Sequence, residues 1–545
     1  MFAKFQQKII FPDFMNNFLK KINLADLGII FSSLIISSIL FKILKDFFHK
    51  KIVIDSIQII EKLDFESLKA GSLFFSNSLI VGLFFNYSFL SFSYLIFTSI
   101  LVYFFWKKRK WSSIDTLKTE RVLIVITLLI IEWSPLFSGF NYFTNQWYLF
   151  DRILLLILAL LTYYSPLFLL LNIPILFLFY ASFDFPFNSF SYTDKLLPMS
   201  IILFTLSSYF IVGVFKSRVK DYNRILLMGF LIIQCCSYFA PFLNKVLISP
   251  NYFDWFLIED FHLAVKRYLA QGWIFDADIT NLIGLFLVRH QKTLLLLAFI
   301  TEFLGIFLFF RWKLSIIIIS LFTITNIVIF LFSGVFFWKW IIWNILFVVY
   351  IFIKSPKINL KPLFPLILFI LFISFKSPLF PKLGWYSTPY KLYYNIEVVD
   401  IDGNNKIVQG KDIAPFDIFF TFNRWNVFNK KQLPSSSSNG DEVLKLESMS
   451  LIELKKYQTN FGVKKYDNEN LKILELFFKE YFKNVNSIIK PARLPFSAPT
   501  HIQTRYKDPF SFDKKVKIVR IYANEFWFLD DNIETKKHLI KEIQI

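Results

Sequence analysis

Four polar side chains lie inside long apolar runs of this 545-residue sequence: Glu132, Glu302, Asn326 and Lys339. An ionisable group near the middle of a bilayer costs at least about 2.5 to 3.5 kcal/mol, so each one needs a partner or a function. Lys339 is flanked by two tryptophans, as in an interfacial belt, and we expect it to snorkel outward. Lys245 ends another apolar run, "SYFAPFLNK". Desolvation favours the uncharged form of an amine, which is the form that acts as a general base.

Two interpretations of these groups stay open. In the first, Glu132 and Glu302 are satisfied by neighbouring helices, for instance by Arg152 or Arg289, and do no chemistry. Lys245 is then an interfacial anchor. In the second, a polar cavity between helices opens to the outer side, and Lys245 converges there with one or both carboxylates.

The cysteines and histidines argue against disulfide bonds and metal sites. Cys235 and Cys236 are the only cysteines and are adjacent within an apolar run, so they form neither a disulfide framework nor a thiolate metal site. The five histidines have no metal-ligand spacing, and we therefore predict no bound metal.

The composition predicts a polytopic membrane protein. Hydrophobic residues make up 55% of the chain, 72 residues are Phe, and the mean hydropathy is +0.51. The net charge of +20 comes largely from short basic clusters beside apolar runs. Because the positive-inside rule accounts for such clusters, we predict the lipid bilayer as a partner and no nucleic acid.

The apolar runs predict an α-helical fold of about 10 to 12 spans. Run 73–106 is either one tilted helix or a tight pair, and run 150–183, interrupted by Pro166 and Pro174, is either two short segments or a re-entrant hairpin. The other runs long enough, or nearly so, to cross a bilayer are 27–44, 121–140, 197–216, 224–242, 293–310, 313–333, 336–354 and 362–375.

Basic clusters between the runs predict the orientation. They lie at 107–110, 216–224, 311–313 and 354–361. Placed on the cytoplasmic side of a cell inner membrane, and with run 150–183 crossing twice, they direct the loops 141–149, 182–196 and 243–292 outward. The chain after residue 376 then lies outside the cytoplasm.

The composition changes at about residue 379, where we predict an extracytoplasmic C-terminal α+β domain spanning 379–545. Segment 393–408 predicts a β-hairpin that turns at Asp402-Gly403-Asn404. Segment 515–529 predicts a second strand pair, and 444–482 has helical periodicity. The serine-rich segment 433–442 predicts a flexible loop.

A family resemblance appears in the middle of the chain. "YFAPFLNK", then "DW", then "HLAVKRYLAQGW" at 262–273 resemble the central signature of the vitamin K-dependent gamma-carboxylases and their bacterial relatives, the horizontally transferred transmembrane domain (HTTM) proteins. Tyr238 and Lys245 match its first element, Trp255 its second, and Glu302 and Asn326 later ones. The similarity lies within about 120–350 and defines a carboxylase-like core at 121–378, preceded by an N-terminal membrane region at 1–120.

The resemblance implies a role for Lys245. It is the counterpart of the family's catalytic base, which deprotonates reduced vitamin K so that oxygen can react with it, and a reduced quinone is the implied cofactor. An enzyme of this kind needs its candidate substrate-binding residues close to Lys245; these are Asp254, Trp255, His262, Glu302 and Asn326. Two family histidines, expected near 323 and 192–194, are absent, which argues against glutamate carboxylation.

Two functions follow from the sequence. The first is a membrane enzyme that uses Lys245 as a base toward a quinol or another isoprenoid or lipid substrate entering from the bilayer. The second is a non-enzymatic membrane scaffold, or a lipid-binding or transport subunit, whose tail engages a periplasmic protein partner. An ordinary transporter is the third alternative, but the sequence contains no convincing pair of inverted repeats.

Overall fold

A computed structural model describes most of the chain from residue 118 onward and part of what precedes it. The described residues are 24–47, 103, 118–137, 149–184, 193–214, 222–249, 251–260, 263, 277–309, 311–354, 364–413, 433, 436–460, 468–486, 514–528 and 533–545. Run 73–106, apart from Tyr103, and the candidate residue His262 lie outside them.

The described part of the chain up to residue 376 is almost entirely helical. Its long helices are α1 (Leu24–Asp46), α2 (Lys118–Phe137), α3 (Leu149–Leu161), α4 (Leu169–Asp184), α5 (Leu196–Val214), α6 (Tyr222–Ile248), α7 (Ala277–Leu304), α8 (Trp312–Ser333), α9 (Trp338–Lys354) and α10 (Phe364–Lys376).

Five of these helices are long and apolar enough to cross a membrane: α1, α5, α6, α7 and α8. Helix α6 is at the centre of the bundle, because its most apolar 18-residue window is entirely buried inside the protein. It packs against α5, α7 and α10. At Gly229, α5 approaches so closely that a Cβ would lie 2.0 Å from the Phe204 ring.

Prolines shape two of the helical segments. Pro166 begins a short 3-10 turn whose N-cap is Ser165, and this turn divides run 150–183 into the separate helices α3 and α4. Pro241 lies inside α6, yet the helix continues beyond it to Ile248. The apolar run predicted to end at residue 242 is therefore longer, and Lys245 lies within the helix.

The C-terminal region forms a small antiparallel sheet with order β3-β2-β5-β6. Its strands are β2 (Tyr390–Asp400), β3 (Asn405–Ile407), β5 (Val516–Phe528) and β6 (Ile533–Gln544). The predicted hairpin is confirmed: β2 pairs with β3, and Gly403 takes a φ of +85° in the turn. Segment 515–529 is not a strand pair, because β5 is one continuous strand that pairs with β2 and β6.

Among the described residues of this region, three helices accompany the sheet: α11 (Gly440–Glu447), α12 (Leu451–Asn460) and α13 (Asn468–Asn486). Helix α13 packs on β5 and β6 and contributes Leu474, Phe477 and Phe482 to the core. The serine-rich segment 433–442 is more ordered than predicted. Its Ser436–Ser437 forms β4, which pairs with β1 (Tyr386–Ser387), and the Asn439 side chain caps α11.

The chain between α10 and β2 crosses the end of α6, and we call residues 381–388 the strap. The backbone carbonyl of Gly384 accepts a 3.1 Å hydrogen bond from Asn244 Nδ2. A Cβ at residue 384 would lie 2.3 Å from that nitrogen and 3.0 Å from the backbone nitrogen of Lys245. The strap can therefore approach α6 this closely only because residue 384 is glycine.

We predict that Gly384→Ala destabilises the protein by about 1 to 3 kcal/mol, because the added methyl group overpacks the contact with α6. The free energy of unfolding in detergent and the rate of proteolysis within the strap measure the effect. Gly284→Ala is the matched control, since a Cβ there meets no atom within 4 Å. Wild-type stability together with an uncleaved strap would contradict the prediction.

Candidate functional site

Lys245 of α6 and Glu302 of α7 form a buried ion pair. Lys245 Nζ lies 2.5 Å from Glu302 Oε1, and the two residues are 7% and 8% exposed. The ammonium group also lies 4.6 Å from the centre of the Trp255 ring, within cation–π distance. The structure thus brings three of the candidate residues together.

Local structure places Trp255 over the lysine. After α6, the Asp254 backbone N–H donates to Ser249 Oγ at 3.0 Å, and a single helical turn, Trp255–Ile258, follows. Trp255 Nε1 then donates to the carbonyl of Trp385 in the strap at 2.9 Å. The strap therefore fixes the indole ring that covers Lys245.

Glu302 uses only one of its carboxylate oxygens in this pair. Oε2 is buried and has no hydrogen-bond partner among the described residues. A buried ion pair is stable only when its geometry is good, and removal of one partner leaves a costly uncompensated charge. The free Oε2 is an acceptor for a hydroxyl group or a water molecule.

A network of hydrogen bonds continues along the same face of α6. Asn326 Nδ2 and Asn344 Nδ2 each donate to the Tyr238 hydroxyl at 2.8 Å. Gln234 Nε2 donates to Asn344 Oδ1 at 2.7 Å, and Trp343 Nε1 donates to Gln234 Oε1 at 2.9 Å. Tyr238 precedes Lys245 by seven positions, about two turns of α6, so the network and the ion pair lie on the same face of this helix.

The two remaining candidate residues that the structure describes, Asp254 and Asn326, bond to partners other than Lys245. Asn326 bonds to Tyr238 and not to Lys245 or Glu302. The Asp254 carboxylate accepts a 2.7 Å hydrogen bond from the exposed Asn251. Of the described candidate residues, Glu302 and Trp255 are therefore the two that contact the Lys245 ammonium group.

The carboxylates take different partners from those named in the first interpretation. Glu302 pairs with Lys245, whereas Arg289 is exposed. Glu132 accepts a 2.6 Å hydrogen bond from Asn172 Nδ2, while Arg152 Nη1 donates to the Leu136 carbonyl. Only one of the two carboxylates thus converges with Lys245.

Lys339 does not snorkel to the interface. It is 1% exposed and forms an ion pair with Asp194, which also pairs with Lys195 at 2.6 Å. The prediction was wrong because the flanking tryptophans indicate only an interfacial depth. They do not indicate whether the lysine faces lipid or the carboxylate that precedes α5.

Sequence reasoning missed Gln234, Trp343, Asn344 and the strap. The helical part of the network had a detectable signal, since residues 234, 238 and 245 are four and seven positions apart and share one face of a helix.

For metals, no group of three or more His, Cys, Asp or Glu suited to bind an ion occurs within the described ranges.

Comparison with protein-family models, curated proteins and solved structures finds no match to this chain. The relation to the gamma-carboxylases therefore depends on the short motifs and remains a prediction.

Carboxylates cluster where the C-terminal domain meets the bundle. Ser387 of the strap donates to Glu259 through both its backbone N–H, at 2.8 Å, and its hydroxyl, at 2.7 Å. Burial of part of the side chain is the main cause that raises the pKa of Glu447 to about 7, and the negative charges of Asp260 and Glu259 add to it. The rest of the side chain is exposed. The nearby Lys292 opposes this shift.

We predict that docking of the C-terminal domain weakens as the pH rises from about 4.5 toward 7. A carboxyl group whose pKa is raised in the folded state stabilises that state when protonated and loses this contribution as it ionises. Glu447→Gln should therefore reduce the pH dependence of unfolding and stabilise the protein at alkaline pH. Thermal unfolding of the wild type and the variant over this pH range measures the pH dependence. An unchanged pH profile in the variant would refute the prediction.

We predict that Lys245→Met or Glu302→Gln alone costs about 3 to 5 kcal/mol of stability, because each change removes one partner of a buried pair. The double variant should lose much less stability than the sum of the two single losses. A double-mutant cycle of unfolding in denaturant measures this difference. The exposed pair Lys455–Glu534 is the control, for which about 0 to 1 kcal/mol is expected. Additive single effects at Lys245 and Glu302 would argue against coupling.

Proposed function

We propose that this protein is a multi-pass membrane enzyme in which Lys245 acts as a base on a hydroxyl-bearing, lipid-soluble substrate of the quinol or isoprenoid class. The observation that carries this proposal is the 2.5 Å Lys245–Glu302 contact, buried under the Trp255 ring. The resemblance to the gamma-carboxylase and HTTM proteins also supports the proposal. Of the positions that match their motifs, Lys245, Trp255 and Glu302 lie in one cluster, and Tyr238 and Asn326 in the adjoining network.

The pair supplies both groups that deprotonation needs. Lys245 Nζ passes one proton to Glu302 Oε1, which leaves a neutral amine beside a neutral acid. The amine lone pair then takes the hydroxyl proton of the substrate, and Lys245 becomes an ammonium group again. In a low-dielectric site the neutral and charged forms of such a pair differ less in free energy than in water, which favours this exchange.

The surroundings of the pair suit an apolar substrate. The Phe242 ring lies 4.7 Å from Phe299 and 5.2 Å from Phe303, on the helices that carry Lys245 and Glu302. Phe303 is partly exposed on the outside of the bundle, where lipid would contact it. The residues fit deprotonation of a quinol, but carboxylation of glutamate is not part of the proposal because the two family histidines are absent.

The proposed topology gives about 10 to 12 spans in a cell inner membrane, with the C-terminal domain outside the cytoplasm. Lys245 then lies near the outer end of α6, below the strap. In this arrangement the strap covers the site on its aqueous side, so the substrate enters laterally from the bilayer.

A second candidate function is a membrane scaffold or lipid-binding subunit that engages a periplasmic protein. The strap contacts favour it. Asn244, Trp255 and Glu259 each bond to strap atoms, so the region around Lys245 also attaches the C-terminal domain to the bundle. In this alternative the ion pair is a structural link and carries no proton to a substrate.

Mass spectrometry of co-purifying lipids and quinones tests the proposal. The wild type, Lys245→Ala and the surface variant Lys455→Ala are purified from the same membranes, and only preparations with wild-type folding are compared. We expect one quinone or isoprenoid class to be enriched in the wild type and in Lys455→Ala and depleted in Lys245→Ala.

Two other outcomes would count against an enzyme. Enrichment of one lipid class in all three proteins would favour the lipid-binding subunit, since Lys245 would then not contact the ligand. Bulk membrane composition in all three would remove the quinol or lipid substrate from the proposal and leave the scaffold.

A further inference from the structure

Glu132 lies in a second polar centre, away from the Lys245–Glu302 pair. It is fully buried on α2 and contacts Asn172 of α4. The mechanism proposed above does not use it. One oxygen of Glu132 and one of Asn172 have no hydrogen-bond partner among the described residues.

Asn172 has a fixed orientation. Its Nδ2 donates to Glu132 Oε1 at 2.6 Å and to the Leu155 carbonyl of α3 at 3.2 Å. A carbonyl oxygen can only accept, so the atom that faces Leu155 must be the amide nitrogen. Both N–H groups of Asn172 are thereby used.

The two unexplained atoms are oxygens on these same residues. Glu132 Oε2 and Asn172 Oδ1 are both buried and have no hydrogen-bond partner within the described part of the chain. If Glu132 is a carboxylate, both atoms are acceptors and neither satisfies the other. A single proton on Oε2 supplies the missing donor, because a planar acid and a planar amide can form two parallel hydrogen bonds.

The charged groups on neighbouring elements do not compensate a negative charge at Glu132. Helix α2 packs against α3, α4, α5 and α9. The buried charged residues described on or next to these elements are Asp151 and Arg152 of α3, Asp194 and Lys195 before α5, and Lys339 of α9. Arg152 bonds to Leu136, while Lys195 and Lys339 pair with Asp194. No ion pair to Glu132 occurs among the described residues, and an unpaired buried carboxylate is costly.

We propose that Glu132 and Asn172 form a proton-binding site in the membrane interior, in which Glu132 is a neutral acid that donates from Oε2 to Asn172 Oδ1. The ligand is the proton itself. Its presence joins α2 to the α3–α4 segment, since the amide also bonds to Leu155 of α3. Loss of the proton leaves two buried acceptors without a donor and weakens this contact between the helices.

Infrared spectroscopy of the full-length protein near pH 7 tests the site. We expect the wild type to contain a protonated carboxylic C=O band that is absent from Glu132→Gln. Glutamine keeps both hydrogen bonds, because its Nε2 donates to Asn172 Oδ1 in place of the acid. This variant should therefore fold, with an unchanged melting temperature.

Asn172→Leu provides a second measurement that does not depend on Glu132→Gln. It keeps the acid but removes its acceptor, so the band should shift to the higher frequency of a free carboxylic acid. If Glu132→Gln instead loses a carboxylate band and no carboxylic acid band, Glu132 is ionised and the proposal is overturned. An unshifted band in Asn172→Leu would equally remove Asn172 from the site.

Discussion

The contact between Lys245 and Glu302 is the interaction on which the end of the bundle next to the C-terminal region depends. It joins α6 to α7, and Trp255 can cover it only because the strap holds the indole N–H. The strap in turn requires a glycine where it crosses α6. One buried charge pair therefore links two helices, the loop between them and the start of the C-terminal domain.

Three buried polar centres in the described part of the bundle are satisfied in different ways. Lys245 and Glu302 neutralise each other as ions, and Asp194 is shared by two lysines. Tyr238 is surrounded by amides, which carry no net charge and satisfy it through hydrogen bonds alone. Because hydrocarbon offers no replacement for a lost partner, each of these arrangements ties its helices together more strictly than apolar packing would.

Much of the helical fold could be predicted from the sequence because apolar length is a local property. The hairpin at Gly403 was predictable for the same reason, since its turn residues and alternation lie within one short segment. The burial of Lys339 was not predictable, because its partner Asp194 is 145 positions away. The approach of Lys245 to Glu302 was one of two open alternatives, and spacing along the chain could not choose between them. The strap contacts were still less predictable from the sequence, since they depend on where the C-terminal domain packs on the bundle.

Pro241 has a mechanical consequence for the site. It lies between Tyr238 and Lys245, and a proline has no N–H to bond to the carbonyl four residues earlier, that of Ser237. Beyond this point the last two turns of α6 contact Phe299 of α7 through Phe242, Glu302 through Lys245, and the strap through Asn244. The helix therefore lacks one backbone hydrogen bond where it passes from the Tyr238 network to these contacts. Side-chain contacts with α7 and the strap thus take the place of that backbone bond in fixing the position of Lys245.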